Sequence, residues 1–564
     1  MNQKSSPLGI LKSDSAQTNQ TLGALVGGGF GGKEDVTVEI YLALLARATR
    51  RPVRLEYTRE DSLVGHGKRH PFVMTYRTGV KKDGRITAVE ARFLADAGAY
   101  VFLSPYVLLY ACVAAPGPYR VDNLFVDAKA VATNNMYTSA FRGFGAAQAC
   151  IAYEQQMDEV ARTLRMDRLE FRRRNYLRTG DMISTNVPIR SAVWTDRCVE
   201  QAWAALGEPT KTTNPVKIGR GIAAYQQSYG RITWLHDTSE GWVGVEVDGT
   251  VIVRSGVTDI GAGQASALAQ IVAEVLGVTL EKVVVYNSDS AVTPLAGTTT
   301  ATRALYMTGN AIKLAADAVR SRLVARAARE FGVEPDQIDM ASSKVFIADR
   351  PEKFMSFADL VKLCAAEGIH RSELAMFRAP FTDKIDPETG LGRVHPDYSF
   401  GAHAIEVAVD TETGEITVLK SIGAHDVGQA INPAAVEGQI EGGALQGQGY
   451  ALSEEMIYDD GCLMTPSFSE YLIPTAMDTP PIRSIILESR SGLGPFGAKG
   501  IGEPALTPVA PAIANAVADA IGVRIPDLPI TPEKVVKALR QRSSNSGRPL
   551  ITERTGSATS ASDR

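Results

Sequence analysis

An α+β fold organised as two α/β lobes is predicted by three observations. Hairpin signals recur in three separate stretches of the 564-residue chain, helical periodicity recurs in five others, and the two kinds are interspersed. The turn-rich stretch GEPTKTTNPVKIGRG (Gly207–Gly221) divides the chain near residue 210. The reading is therefore a first lobe over residues 25–210 and a second over 211–541. Polar, Ser-rich tails at 1–24 and 542–564 read as disordered.

In chain order, LGALV reads as a short strand running into Gly27–Gly32, and VTVEIYLALLARA (Val36–Ala48) as the helix that follows. GVKKDGRITAVEARF places a D-G turn between apolar-alternating arms, the signal of a β-hairpin. VGVEVDGTVIVRSG and IEVAVDTETGEITVLK repeat that shape with D-G and T-G turns. Helical spacing of apolar residues marks ACIAYEQQMDEVARTL, ASALAQIVAEVLG, NAIKLAADAVRSRLVARAARE and AIANAVADAIG.

The charge balance of 59 Lys+Arg against 63 Asp+Glu gives no electrostatic reason to expect nucleic acid or an anionic membrane as partner. Hydrophobic residues at 45% suit a globular protein with a substantial core. Five scattered cysteines without a C-x-x-C provide neither a disulfide scaffold nor a zinc or iron–sulfur site, and read as buried small apolar residues. With no secretory signal and no apolar run near the ~20 residues of a membrane span, a cytoplasmic location is the expectation. His66 and His70 have metal-ligand spacing, but GHGKRHP offers no further ligand, so they read as a surface or loop pair.

Glycine, at 51 residues, is the compositional outlier, and its clusters carry the functional signal. Gly27, Gly29 and Gly32 satisfy G-x-G-x-x-G; RPVRLEYTRED would supply a second strand and Glu56 a ribose acceptor, the pattern of a nicotinamide-dependent dehydrogenase. The same loop satisfies G-x-x-x-x-G-K, but Glu34 stands where a P-loop needs Ser or Thr. Similar loops recur at SAFRGFGAAQ, TDIGAGQASALAQ, PLAGTTTATR, HDVGQAINPAAVEGQIEGGALQGQG and PFGAKGIGEPALTP. One dinucleotide needs one such loop, whereas this many point to a large, extended, multiply hydrogen-bonded ligand.

The ordered set GGGFGGKE, AFRGFG, DVGQAINP…VEGQIEGG and KGIGEP resembles the molybdenum-cofactor subunit of the xanthine dehydrogenase/aldehyde oxidase family, over about residues 25–540. The resemblance implies a molybdenum centre held by a pyranopterin dithiolene, in the cytosine dinucleotide form usual in bacteria, with no side chain ligating the metal. It implies that Glu503 is the general base that prepares a water-derived oxygen to attack an electron-poor carbon. Gly29, Phe30 and Gly31 match the loop flanking the metal; Arg142 and Phe144 match positions beside the metal and the substrate. Gln439 matches a residue hydrogen-bonded to the cofactor, Thr300, Ala301 and Thr302 the stretch around the pterin and its phosphate, and Gly500 the loop before the base. Glu34 matches a substrate-facing carboxylate of the purine oxidisers; stabilisation of a first helical turn is an equally open reading of it.

Three departures shape the expectation. Where the purine oxidisers carry an arginine about thirty residues before AFRGFG, this chain has Tyr110, which disfavours xanthine and favours another N-heteroaromatic, such as a pyridine carboxylate, or an aldehyde. The family's G-Q-G loop reads Gly261-Ala262-Gly263 followed by Gln264, which either does the same job from a shifted register or leaves the cofactor without that hydrogen bond. The resemblance implies a hammerhead region before GGGFGG, which either a separate hammerhead-region subunit supplies, the preferred expectation, or a truncation has removed; a [2Fe–2S] subunit and an FAD subunit are expected to carry electrons away. A non-catalytic scaffold descended from these hydroxylases is the alternative.

Overall fold

The computed structural model describes residues 20–545, apart from 25, 231–236, 380–381, 383–384 and 387. Most of both tails lies outside the described residues, but the end of the first is pinned: Leu22 bridges to Asp289, and the Gly23 N–H donates to the Ser288 carbonyl at 2.6 Å.

The chain opens with α1 (Glu39–Thr49) and α2 (Arg59–Gly65), then β1 (Phe72–Val80) and β2 (Ile86–Gly98). After α3 (Ser104–Ala114), β3 (Asn123–Ala132) adds parallel to β2. Next come α4 (Ala146–Leu164), α5 (Arg168–Asn175) and α6 (Thr195–Ala205). β4 (Val216–Tyr229) starts inside the Gly207–Gly221 stretch and is followed by β5 (Thr238–Val245), β6 (Val251–Ser255), α7 (Gln264–Leu276), β7 (Val283–Asn287) and α8 (Ala304–Phe331). A small meander of β8 (Ile338–Ala341), β9 (Lys344–Ile347) and β10 (Arg350–Ser356) leads through α9 (Phe357–Ala366) to β11 (Ser372–Arg378). β12 (Asp397–Asp410), β13 (Ile416–Asp426), α10 (Pro433–Leu452), the short β14 (Tyr458–Asp459) and β15 (Cys462–Leu463), and β16 (Ile482–Leu487) follow. Helices α11 (Val509–Ile521) and α12 (Pro532–Asn545) end the described chain.

The mixed α+β class holds, and so do the three hairpins. β1 and β2, β5 and β6, and β12 and β13 all pair antiparallel, and the turn glycines Gly84, Gly249 and Gly414 take φ of +88°, +85° and +81°. That is the left-handed geometry for which the D-G and T-G signals select. Two larger sheets, ordered β11-β5-β6-β7 and β16-β13-β12-β4, carry the second half. One core joins α4 to the sheet of β4, β12 and β13 through Tyr153, Phe171, Ile222 and Tyr225; another packs α7, α8 and α9 on β5 and β6. α11 lies on β4 so closely that a Cβ at Gly219 or Gly221 would fall 2.0 Å from the Ala516 or Ala512 carbonyl.

Several local expectations are corrected. The described residues before Gly27 form no strand beyond the Leu22 bridge, Leu25 lying outside the described residues, and α1 starts only at Glu39, whose carboxylate accepts from the Thr37 and Val38 N–H groups. VEGQIEGG is helix rather than loop, lying within α10, where a Cβ on Gly443 or Gly447 would collide with Ala505 or Val509. Gly443 and, beyond the motif, Gly447 serve helix packing, whereas Gly438 and Gly442 face open space. His70 is not at the surface: 2% exposed, its Nε2 is 2.8 Å from Ser104 Oγ, and burial pushes it down to about 4, so it stays neutral. Among the cysteines, Cys150, Cys198 and Cys364 are buried, Cys112 is half-buried, and Cys462 is exposed because β14 and β15 form an isolated two-residue ladder.

Candidate active site

Seven segments far apart in sequence meet around one cavity of about 630 Å³. Backbone contacts stitch them together. The Gly28 N–H donates to the Ile260 carbonyl and the Arg142 N–H to the Phe30 carbonyl, both at 2.8 Å, while Ser399 Oγ donates to the Gly500 carbonyl at 2.6 Å. Side-chain-free backbone is what permits such approach: a Cβ at Gly31, where φ is +101°, would lie 2.5 Å from the Ala140 carbonyl oxygen, and one at Gly500 2.4 Å from Thr302 Cγ2. Gly29, Phe30, Gly31, Glu34, Tyr110, Arg142, Phe144, Gly261, Gly263, Gln264, Thr300, Ala301, Thr302, Gln439, Gly500 and Glu503 all line this cavity.

Glu503 follows Gly500-Ile501-Gly502 into the wall. Its carboxylate Oε2 accepts from Thr302 Oγ1 at 2.9 Å, and its N–H donates back to the same oxygen at 3.1 Å. Burial pushes the Glu503 carboxyl up to about 7; the Thr302 hydrogen bond opposes that rise, the charge of Glu34 adds to it, and the Gly143 N–H and the Arg142 guanidinium oppose it. A carboxyl held there exchanges its proton near neutrality, which is what a general base requires. Glu34, for its part, accepts from Thr300 Oγ1 at 3.0 Å, and with α1 starting five residues later it does not stabilise a first helical turn.

Arg142 clamps three segments at once. Nε donates to the Gly502 carbonyl at 2.5 Å, Nη1 to Gln446 Oε1 at 3.0 Å, and Nη2 to both the carbonyl and Oε1 of Gln439 at 3.1 Å. Burial pushes it down to about 10, which leaves it cationic. Tyr110 and Phe144 meet edge to face, with ring centres 5.1 Å apart, and Tyr110 also meets His395 at 4.5 Å. Tyr110 and Phe144 thus give the cavity an aromatic wall of perpendicular rings, with no cation at Tyr110.

Sequence reading missed Asp259, whose carboxylate accepts from the N–H groups of Gly261, Gly263 and Ala265 at 3.0–3.2 Å. These donors at the start of α7 are therefore taken, and this glycine loop is not an open anion cradle. The signal was present, since Asp side chains commonly accept from backbone N–H groups two or more residues further on in a turn. Gln446 and Lys499 were also missed. Lys499 forms a fully buried pair with Asp426 at 2.7 Å at the head of the segment carrying Glu503. The nicotinamide reading fails on geometry: among the described residues no strand leads into Gly27–Gly32, residues 52–58 form none, and Glu56 pairs with Arg54.

Comparison with known proteins accounts for this arrangement. Residues 21–176 and 197–480 each match the model of a molybdopterin cofactor-binding domain. The xanthine dehydrogenase molybdenum-binding subunit of Escherichia coli O157:H7 is 31% identical, over 90% of this chain and 68% of its own length. The chain belongs to the xanthine dehydrogenase/aldehyde oxidase family of molybdenum hydroxylases. Within that family, the nicotine 6-hydroxylase large subunit of Paenarthrobacter nicotinovorans is 30% identical, over 91% of this chain and 65% of the relative. The crystal structure of quinoline 2-oxidoreductase from Pseudomonas putida 86 superposes with a TM-score of 0.82 at 29% identity, covering 93% of this chain and 69% of that one. The chain spans from about a third to two thirds of the length of the relatives it matches.

The residues present fit the cofactor of this molybdenum hydroxylase family. Gln264, the first residue of α7, lines the cavity with its Oε1 buried and without a hydrogen-bond partner, a group left for a ligand's donor. The glycine turns would hold a large ligand through backbone. Among the described residues no group of three or more His, Cys, Asp or Glu side chains could hold a metal ion. No helix among the described residues is long and apolar enough to cross a membrane.

Proposed function

We propose that the chain is the catalytic, molybdopterin-binding subunit of a multi-subunit hydroxylase, acting with water as oxygen source on an N-heteroaromatic substrate of pyridine carboxylate or purine-like type, or on an aldehyde. The observation that carries this reading is the meeting of the glycine turns and the Glu503 carboxylate on one cavity. The cofactor, in its cytosine dinucleotide form, would supply the two-electron acceptor and the activated water-derived oxygen. Glu503 is the base that removes the proton from that oxygen. Gln439, Gln264, the Thr300–Thr302 turn and the backbone of Gly29, Gly31 and Gly500 hold the cofactor, with Arg142 fixing the turn beside it; Gly261 and Gly263, their N–H groups held by Asp259, shape the turn that presents Gln264. Phe30 and Phe144 wall the reacting ring, while Glu34 and the neutral phenol of Tyr110 face the substrate. Both lobes, 25–210 and 211–541, contribute to this one site. The names of the nicotine and quinoline relatives support an N-heteroaromatic substrate.

Two electrons left on the cofactor must depart singly, so a [2Fe–2S] subunit and an FAD subunit act as partners. The complex works in the cytoplasm. The test is purification of the complex with its partners, metal analysis, and turnover of quinoline, nicotinate, hypoxanthine and benzaldehyde in ¹⁸O-labelled water. Molybdenum near one per chain and label in the hydroxylated product are expected. A molybdenum-free complex would establish the scaffold alternative, and label arriving from O₂ would exclude the reaction.

A further inference from the structure

The two cavity carboxylates are held by one turn. Thr300 Oγ1 donates to Glu34 at 3.0 Å and, two residues on, Thr302 Oγ1 donates to Glu503 at 2.9 Å while accepting the Glu503 N–H at 3.1 Å. Ala301 and Thr302 sit at φ of 48° and 53°, a left-handed conformation in which a β-branched residue is rarely found. The neighbouring Arg303 anchors the turn: it is 1% exposed, pairs with Asp237 at 2.7 Å, and donates to the Ala296 and Thr298 carbonyls. We propose that Thr302 is a positioning residue that holds Glu503 in its ionised form and in one orientation against the charge of Glu34, so that the strained turn sets the acid side of the enzyme's pH range.

This inference rests on Glu503 being the base. The groups that face its carboxylate come from three directions. Glu34 approaches from the first glycine loop, Arg142 and the Gly143 N–H from the turn ahead of α4, and Thr302 from the turn ahead of α8. The other cations lining the cavity are engaged elsewhere: Lys33 Nζ donates to the Gly28 carbonyl at 2.7 Å, Lys499 pairs with Asp426 and Arg303 with Asp237. Thr302 and Glu34 therefore act on Glu503 with opposite signs. A donor to a carboxylate favours the ionised form, whereas a neighbouring carboxylate disfavours it.

Thr302→Val keeps the shape and the β-branch but deletes the donor, and the acid limb of the kcat/KM profile should move up by roughly one pH unit. Glu34→Gln should move it down, and Thr302→Ser should restore the wild-type position. An infrared difference titration of the purified complex provides a readout independent of turnover. The protonated-carboxyl band that Glu503→Gln removes should show the same upward shift in Thr302→Val and the same downward shift in Glu34→Gln. Unmoved midpoints in both variants, or failure of Thr302→Ser to restore the wild-type value, would overturn the proposal. Retained activity in Glu503→Gln would instead overturn the assignment of the base, so the two failures are distinguishable.

Discussion

Glu503→Gln is expected to lower kcat by roughly 10²–10⁴-fold, the range spanned by a positioned general base, while molybdenum content stays at the wild-type level. Gln conserves the shape and can still accept the Thr302 hydrogen bond that fixes the side chain, so the wall of the cavity is unchanged and only the capacity to take a proton is lost. The same residue dictates the pH dependence. A base works only when ionised, and burial places its titration at about 7. Activity should therefore be full above that value and fall about tenfold for each unit below it. Steady-state kinetics from pH 5 to 9, with metal analysis of each preparation, would check both statements. Near-wild-type turnover in the Gln variant would remove Glu503 from the chemistry.

Much of this was legible in the sequence because it was written in local rules. A D-G or T-G turn between alternating arms requires the left-handed glycine that Gly84, Gly249 and Gly414 supply, and clustered glycines mark places where backbone must approach backbone or ligand. What was not legible depended on distant partners. GHGKRHP looks solvated until Ser104, thirty-four residues further on, closes over His70. VEGQIEGG looks like a turn because glycine usually marks one, yet it coils within α10, where Gly443 lets the helix close on Ala505 while Gly438 and Gly442 face open space. The late start of α1 has a similar origin. The loop from Gly27 to Glu34 is drawn into the cavity by Ile260, Arg142 and Thr300, and only then does the chain become free to coil.

The glycines themselves provide the second large prediction, because the same residue type has opposite tolerances within one site. Gly31 has φ of +101°, and a Cβ there would meet the carbonyl oxygen, the carbonyl carbon and the next nitrogen at Ala140–Phe141, at 2.5, 2.6 and 2.8 Å. None of those is a side-chain end that can swing aside. Gly31→Ala must separate the first glycine loop from the AFRGFG turn, break the Arg142 N–H bond to the Phe30 carbonyl, and strain the backbone by about 1–3 kcal/mol. Since Phe30 and Arg142 both line the cavity, molybdenum retention and kcat are expected to fall together by at least about tenfold, the effect of some 1.4 kcal/mol at the site. Gly438, one residue before Gln439, is exposed on α10 and has nothing within 4 Å of its would-be Cβ. Gly438→Ala should leave kcat unchanged and raise stability by up to about 1 kcal/mol, because alanine costs less conformational entropy in a helix interior. Metal content, turnover and denaturant midpoints measured side by side would decide the matter. A Gly31→Ala protein with full molybdenum and full activity would mean that the two loops need not touch for the site to work.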